Sequence, residues 1–140
     1  MSAGYSATPL AKKLGCRPDG RLLTHGAPAG FSVPELPAGC TRAELGDGQV
    51  AGEPGDVVLA FFPDRAALAD GIAALGEAIF PAGAVWIAWP RRAAGHESDI
   101  REQDVRDLAL PLGLVDVKVA ALGEDWSGLR LVWRTERRGG

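Results

Sequence analysis

Hydrophobic residues in the second half of the chain fall into runs whose spacing separates strands from helices. Residues 56–62 and residues 84–89 are nearly unbroken apolar segments of strand length. Such segments are typical of parallel strands that are covered on both faces of a sheet. Asp64 follows the first segment and is predicted to be the N-cap of a helix. Apolar residues then recur with the 3.6-residue period of that helix, at Leu68, Ile72, Leu75 and Ile79.

The pattern after residue 98 predicts another helix. Asp99 and Glu102 have the spacing of a capping box at its start, and Pro111 is expected to end or kink its last turn. One face of this helix is apolar, with Val105, Leu108, Ala109 and Leu112.

The last part of the chain predicts a hairpin. In residues 114–122 three valines alternate with Asp116 and Lys118, which indicates an edge strand with one face open to water. Residues 126–128 are predicted to form a turn into a final strand over residues 129–133.

The front half of the chain has short apolar runs and many helix breakers. A short helix is predicted between Pro9 and Gly15, followed by a strand over Arg21–His25 and a second strand over residues 41–45. Between the two strands lie the glycines of a G-x-x-x-G loop and three prolines, so that no helix of ordinary length fits there. A nucleotide-binding fold would place its cofactor loop and the helix behind that loop in this region.

Composition and charge are those of one globular domain, predicted over residues 1–134, with a flexible tail over residues 135–140. The net charge of −3 argues against a nucleic-acid partner, which needs a concentrated basic surface. No apolar run approaches the roughly 20 residues of a membrane span, and residues 1–7 do not have the pattern of a secretory signal. The two cysteines are then expected to be reduced thiols in a cytoplasmic protein.

Candidate ligand-binding residues follow from the rule that open α/β sheets bind ligands beyond the carboxyl ends of their strands. The residues predicted at those ends to bind a ligand are Gly26, Gly30, Glu44, Arg91 and Arg92. Glu44 lies where a dinucleotide fold presents an acid to a ribose, and the two arginines could clamp a phosphate or carboxylate.

Candidate catalytic residues at the same edge are Asp64 and His25. Asp64 follows a strand, but its role as an N-cap already accounts for it. His25 could titrate near neutrality, as could His96, but neither has a partner in the sequence pattern. No metal site is predicted, because the cysteines and histidines lack zinc-ligand spacing.

Two resemblances add to this interpretation. The order strand, helix, strand, helix, hairpin resembles the closing arrangement of class I S-adenosylmethionine-dependent methyltransferases. Over nearly its full length the chain resembles a family of small bacterial proteins known as domain of unknown function 3052. That likeness implies a Rossmann-like domain, with no established activity or catalytic residues to transfer. The resembling segments are residues 5–15 (YSATPLAKKLG), 56–62 (DVVLAFF), 86–90 (WIAWP), 113–119 (GLVDVKV) and 126–131 (WSGLRL).

The sequence therefore predicts a three-layer α/β domain with a mostly parallel sheet, a C-terminal antiparallel hairpin and a reduced front half. Two functions remain open. The first is a non-catalytic binding module that contacts a protein partner or a second copy of itself. The second is a minimal methyltransferase that binds S-adenosylmethionine and acts on a small, anionic substrate.

Overall fold

The residues that the structure describes form a single sheet of six strands. A computed structural model describes residues 9–28, 31–44, 56–79, 83–91, 95, 98–122 and 125–134. The strands are β1 (Arg21–His25), β2 (Thr41–Glu44), β3 (Val57–Phe61), β4 (Ala84–Pro90), β5 (Leu114–Ala121) and β6 (Trp126–Trp133).

The order of the strands in the sheet is β2-β1-β3-β4-β6-β5. The first four of these are mutually parallel, whereas β6 is antiparallel to both β4 and β5. This arrangement confirms the predicted mostly parallel sheet with a C-terminal hairpin. It also confirms β5 as an edge strand.

Helices cover both faces of the sheet, which gives the predicted three layers. They are α1 (Leu10–Leu14), α2 (Arg65–Ile79) and α3 (Glu102–Ala109). A 3-10 turn over Leu110–Leu112 follows α3, so the helix ends before Pro111 as predicted. None of the helices in the described ranges is long and apolar enough to cross a membrane.

Two hydrophobic cores lie on opposite faces of the sheet. On the α2/α3 face, Leu68, Ile72 and Leu75 of the predicted helical stripe pack against alternate residues of β3 and β4. On the α1 face, Leu14 and Trp86 pack together, and the indole nitrogen Nε1 of Trp86 donates a hydrogen bond of 3.0 Å to the carbonyl oxygen of Leu14. A helix of one or two turns is too short to be stable by itself, so this packing is what holds α1.

Residues 31–40 carry no helix, as predicted. They run across the α1 face as irregular chain, with Val33 buried in its core. The helix that would stand behind a cofactor loop is therefore replaced by a segment that is held by side-chain packing.

Two predictions about the second half were wrong. Asp99 does not pair with Glu102 in a capping box; its Oδ1 accepts from the backbone N–H of Arg65 at 2.8 Å, at the start of α2. The cap of α3 comes from Asp104, whose Oδ2 accepts from the N–H of Arg101 at 2.8 Å. Residues 126–128 are not a turn but the first residues of β6, because they pair with the end of β4.

The alternation predicted for β5 is interrupted by a β-bulge between Asp116 and Lys118. Asp116 precedes the bulge and shares the α2/α3 face with the buried Leu114, and its Oδ2 accepts a hydrogen bond of 3.0 Å from Nε of Arg106. Val117 and Val119 are left about half exposed, at 50% and 51%. Bulges of this kind are common on edge strands, where they limit pairing with another chain.

Candidate functional site

The candidate site is the edge of the sheet where the four parallel strands end. β1 ends at His25, β2 at Glu44 and β3 at Phe61, and the three ends are brought side by side by the register of the strands. Ligands of open α/β sheets bind beyond these carboxyl ends, outside the covered core.

Glu44 is held by its neighbours on the α1 face. Its Oε2 accepts a hydrogen bond of 2.5 Å from the hydroxyl of Thr24, which is fully buried on β1. Nη2 of Arg42 lies 4.0 Å from the same oxygen. The Glu44 side chain is still 57% exposed, so the carboxylate is oriented and open to solvent at the end of β2.

Gly26 allows the ends of β1 and β3 to approach each other closely. Its φ is 66°, in the left-handed region, and a Cβ at this position would lie 2.7 Å from the carbonyl oxygen of Phe61. Glycine is therefore required by packing and by backbone conformation alike. Gly30, the second glycine predicted to bind a ligand, lies outside the described residues.

An aromatic cluster covers the carboxyl end of β3 on the α1 face. The rings of Phe31 and Phe61 meet edge-on with centroids 4.8 Å apart, and those of Phe61 and Trp126 with centroids 4.9 Å apart. The guanidinium of Arg42 lies 5.6 Å from the centroid of the Phe31 ring and donates a hydrogen bond of 3.3 Å to the Phe31 carbonyl. The aromatic cluster was not predicted, although Phe31 directly follows the glycine-rich loop.

The α2/α3 face of the same edge holds His25 and Asp64. The His25 ring packs on that of Phe62, with centroids 5.6 Å apart. Oδ1 of Asp64 accepts from the N–H of Ala67 at 2.9 Å, which is the N-cap bond predicted for α2.

Arg91 lies further along the edge, after β4. Its backbone N–H donates to the carbonyl of Asp125 at 2.8 Å, and its half-buried side chain lines a cavity of about 330 Å³ with Trp89, Glu102 and Ser127. Arg92 and His96 lie outside the described residues.

Those predicted site residues that the structure describes do not form one cluster. Thr24, which binds Glu44, is in register with Leu59 of the α1 core, whereas His25 is in register with Ala60 of the α2/α3 core. Glu44 and His25 therefore lie on opposite faces of the sheet, and the carboxylate and the imidazole are not placed to act on one substrate atom.

A pair of cysteines lies at the other end of the strands, where β1 and β2 begin, and this pair was also not predicted. Cys16 and Cys40 are both half-buried free thiols that lie close enough to perturb each other's pKa, and Sγ of Cys40 lies 3.9 Å from the carbonyl oxygen of Thr41. Burial, reinforced by the neighbouring Cys40 thiol, raises the pKa of Cys16 to about 11. Burial also raises the pKa of Cys40. The strand topology would have indicated this pair. Cys16 precedes β1 and Cys40 precedes β2, and the first residues of two neighbouring parallel strands lie side by side.

A metal ion has no ready set of ligands in the described part of the chain. No three side chains of His, Cys, Asp or Glu come together there in a group that could bind one.

Comparison with family models places most of the chain in one family. The model described as "Protein of unknown function (DUF3052)" matches residues 39–135. The chain belongs to this family. A search of curated protein sequences found no match to the DUF3052 protein.

Several solved structures are similar to this chain, and methyltransferases that depend on S-adenosylmethionine are among them. A methyltransferase from Aquifex aeolicus that depends on S-adenosylmethionine has a TM-score of 0.58 and 14% identity over 86% of this chain and 85% of its own. The fibrillarin pre-rRNA processing protein of Methanococcus jannaschii has a TM-score of 0.60 and 14% identity over 93% and 70%. Magnesium protoporphyrin IX methyltransferase from Synechocystis, solved with bound S-adenosylmethionine, has a TM-score of 0.57 and 14% identity over 84% and 71%. At this identity the likeness establishes the fold and no more.

Proposed function

We propose that this protein is a binding module on a reduced methyltransferase-like sheet, that it does not transfer methyl groups, and that it contacts a protein partner or a second copy of itself. The observation that carries the proposal is the aromatic cluster of Phe31, Phe61 and Trp126. It lies on the α1 face at the carboxyl end of β3, where an adenosyl group would have to compete with the protein's own rings. The separation of His25 from Glu44 supports the absence of catalysis.

The edge strand β5 supports a contact surface. Val117 and Val119 are about half exposed on it, and Leu110 is 41% exposed just before it. Two exposed valines this close on an edge strand favour a protein contact over a solvated face.

A second candidate is a minimal methyltransferase that uses S-adenosylmethionine and a small anionic substrate. The observation that favours it is Glu44, held by Thr24 at the end of β2 beside the Gly26 turn, where related folds bind a ribose. Arg91 in the wall of its cavity would suit an anionic substrate.

Thermal unfolding with S-adenosylmethionine and S-adenosylhomocysteine distinguishes the two candidates. A ligand at about 100 times its Kd adds roughly 2.7 kcal/mol of stability, which raises the Tm of a domain of this size by several degrees. We expect no shift in the wild type. A shift that is present in the wild type and lost in Glu44→Gln would instead support the methyltransferase.

Sedimentation equilibrium across a range of protein concentrations tests the contact surface. If β5 binds a second copy, the wild type will show a dimer that Val119→Lys reduces to the monomer. A monomer at every concentration would exclude the second copy and direct the search to a different protein.

A further inference from the structure

The thiols of Cys16 and Cys40 meet although they come from segments that are distant in sequence. Cys16 lies between α1 and β1, and Cys40 lies at the end of the irregular segment before β2. The two thiols lie close enough for each to perturb the pKa of the other. Because β1 and β2 are adjacent and parallel, the chain enters both strands at the same edge of the sheet.

Backbone hydrogen bonds hold the two segments together on both sides of the thiols. The N–H of Asp19 donates to the carbonyl of Ala38 at 2.9 Å, and the N–H of Thr41 donates to the carbonyl of Gly20 at 3.0 Å. The N–H of Cys40 also donates to the carbonyl of Pro37 at 3.0 Å. The two segments that carry the thiols are therefore held side by side by the backbone of the fold.

We propose that Cys16 and Cys40 are an oxidation site that closes to a reversible disulfide by exchange with a small anionic disulfide such as oxidised glutathione. The reagent has access to both thiols, because Cys40 is only half-buried and Cys16 lines an open cavity of about 570 Å³. Lys12 and Arg17 line the same cavity and attract a negatively charged reagent, although Glu35 is also present.

The exchange proceeds in two steps that balance. The thiolate of Cys40, which is the less desolvated of the two, attacks one sulfur of oxidised glutathione, and the first glutathione leaves as a thiolate. The thiolate of Cys16 then attacks the Cys40 sulfur of the mixed disulfide and releases the second glutathione. Each attacking thiol loses its proton to solvent and each departing thiolate gains one, so two protein thiols are oxidised as one oxidised glutathione is reduced to two thiols.

The bond would fix the segment that carries Phe31 and Val33 to the connection between α1 and β1. It closes a loop between residues 16 and 40, which restricts the unfolded chain. Oxidation is therefore expected to stabilise the front half of the fold, where α1 is short and residues 31–40 carry no helix.

The test uses the full chain, first reduced and then incubated with oxidised glutathione at pH 8. In the wild type, we expect both thiols to be lost with no retained glutathione, and intact mass to fall by two hydrogens. Peptide mapping should link the segments that contain Cys16 and Cys40, and dithiothreitol should restore both thiols.

Two matched variants test which cysteine reacts with glutathione and which one closes the internal disulfide. Cys16→Ser should stop at a stable glutathione adduct on Cys40, and Cys40→Ser should form no internal bond. A wild type that retains two glutathione molecules, keeps both thiols free or links through intermolecular disulfides would overturn the proposal.

Thermal unfolding gives a second readout. The oxidised wild type should have a Tm higher than the reduced protein by on the order of 10 °C, and dithiothreitol should reverse the change. Cys40→Ser treated in the same way should show no such rise. An internal disulfide that leaves Tm unchanged would contradict the stabilising role assigned to it.

Discussion

Gly26 is subject to two constraints at once, one on its backbone conformation and one on the space at its Cβ position. It has a positive φ, and it has no room for a Cβ beside the carbonyl of Phe61. Gly95 has a φ of +91° but nothing within 4 Å of its Cβ position, so it shares the first constraint without the second. Comparing the stability cost of a substitution at Gly26 with that at Gly95 therefore separates backbone strain from steric clash.

We predict that Gly26→Ala lowers the free energy of unfolding by about 2–4 kcal/mol, because left-handed strain is added to a clash with the end of β3. Gly95→Ala should cost about 1 kcal/mol from the strain alone. Urea unfolding of the two variants measures both values. Equal costs would show that the ends of β1 and β3 are not packed as closely as the structure has them.

We predict that the raised pKa of Cys16 makes the reduced protein less stable in alkaline solution. The pKa of Cys16 is raised to about 11 in the folded protein from an ordinary value of 9.0. As pH rises above 9, the unfolded chain releases the thiol proton while the folded protein retains it, so unfolding becomes more favourable up to about pH 11.

Because Cys16 is only half-buried, we expect this effect to be on the order of 1 kcal/mol. The measurement is the free energy of unfolding of the wild type and of Cys16→Ser, each between pH 8 and pH 11 with a reductant. The variant removes the Cys16 thiol, and with it this contribution to the pH dependence, but leaves Lys12, Arg17 and the other titrating groups in place. A wild type whose stability falls no more steeply than that of the variant would contradict the raised pKa.

At the scale of elements, α2 is capped by two carboxylates from different parts of the chain. Asp64 bonds the N–H of Ala67 from within the helix start, and Asp99 bonds the N–H of Arg65 from the segment before α3. The first of these could be predicted from the local sequence. The second could not, because it depends on how α3 is placed beside α2.

Asp64→Ala is expected to lower the free energy of unfolding by about 1 kcal/mol, since an N-cap hydrogen bond is lost at the start of α2. Asp64→Asn should recover most of it, because asparagine also accepts from the helix N–H groups. Asp70→Ala, on the exposed surface of the same helix, is the control and should change stability by less than about 0.5 kcal/mol. Chemical denaturation checks all three, and an unchanged Asp64→Ala would exclude the capping role.

The elements that could be predicted from sequence are those whose pattern is complete within the element. The apolar runs of β3 and β4 and the helical stripe between them carry enough apolar residues to set both type and position. The prediction for Trp126 was wrong because the sequence Trp-Ser-Gly is locally typical of a turn. Its place in β6 is decided by its partner Pro90 on β4, which lies far away in sequence.

The same limit applies to the candidate site. That polar residues gather at the strand ends follows from the strand pattern, and Glu44 and His25 were found in this way. Which face each one occupies depends on strand pairing, so their separation was not predicted. The meeting of Cys16 and Cys40 likewise required the knowledge that β1 and β2 are neighbours.

At the scale of the whole molecule, β6 is the strand that joins the hairpin to the parallel sheet. It pairs with β4 on one side and β5 on the other, and Leu129 and Leu131 are fully buried in the α2/α3 core. We predict that Leu131→Ala lowers the free energy of unfolding by about 2–5 kcal/mol, through lost burial and the cavity left behind.

Val119→Ala is the matched control for this prediction. It removes an apolar side chain of the neighbouring strand that is 51% exposed, and it should cost less than about 0.5 kcal/mol. Equilibrium unfolding in urea measures both variants. Similar costs at the two positions would contradict an interior place for β6.

The interior position of β6 also determines when the sheet can be completed during synthesis of the chain. β6 is made after every other strand of the described sheet, yet β5 can join that sheet only through it. While β5 has left the ribosome and β6 has not, β4 can pair with β3 on one side only, and its other edge, along an apolar segment, is open to other chains. The nascent protein therefore passes through an interval in which a chaperone would protect it, and that interval ends when the last strand inserts.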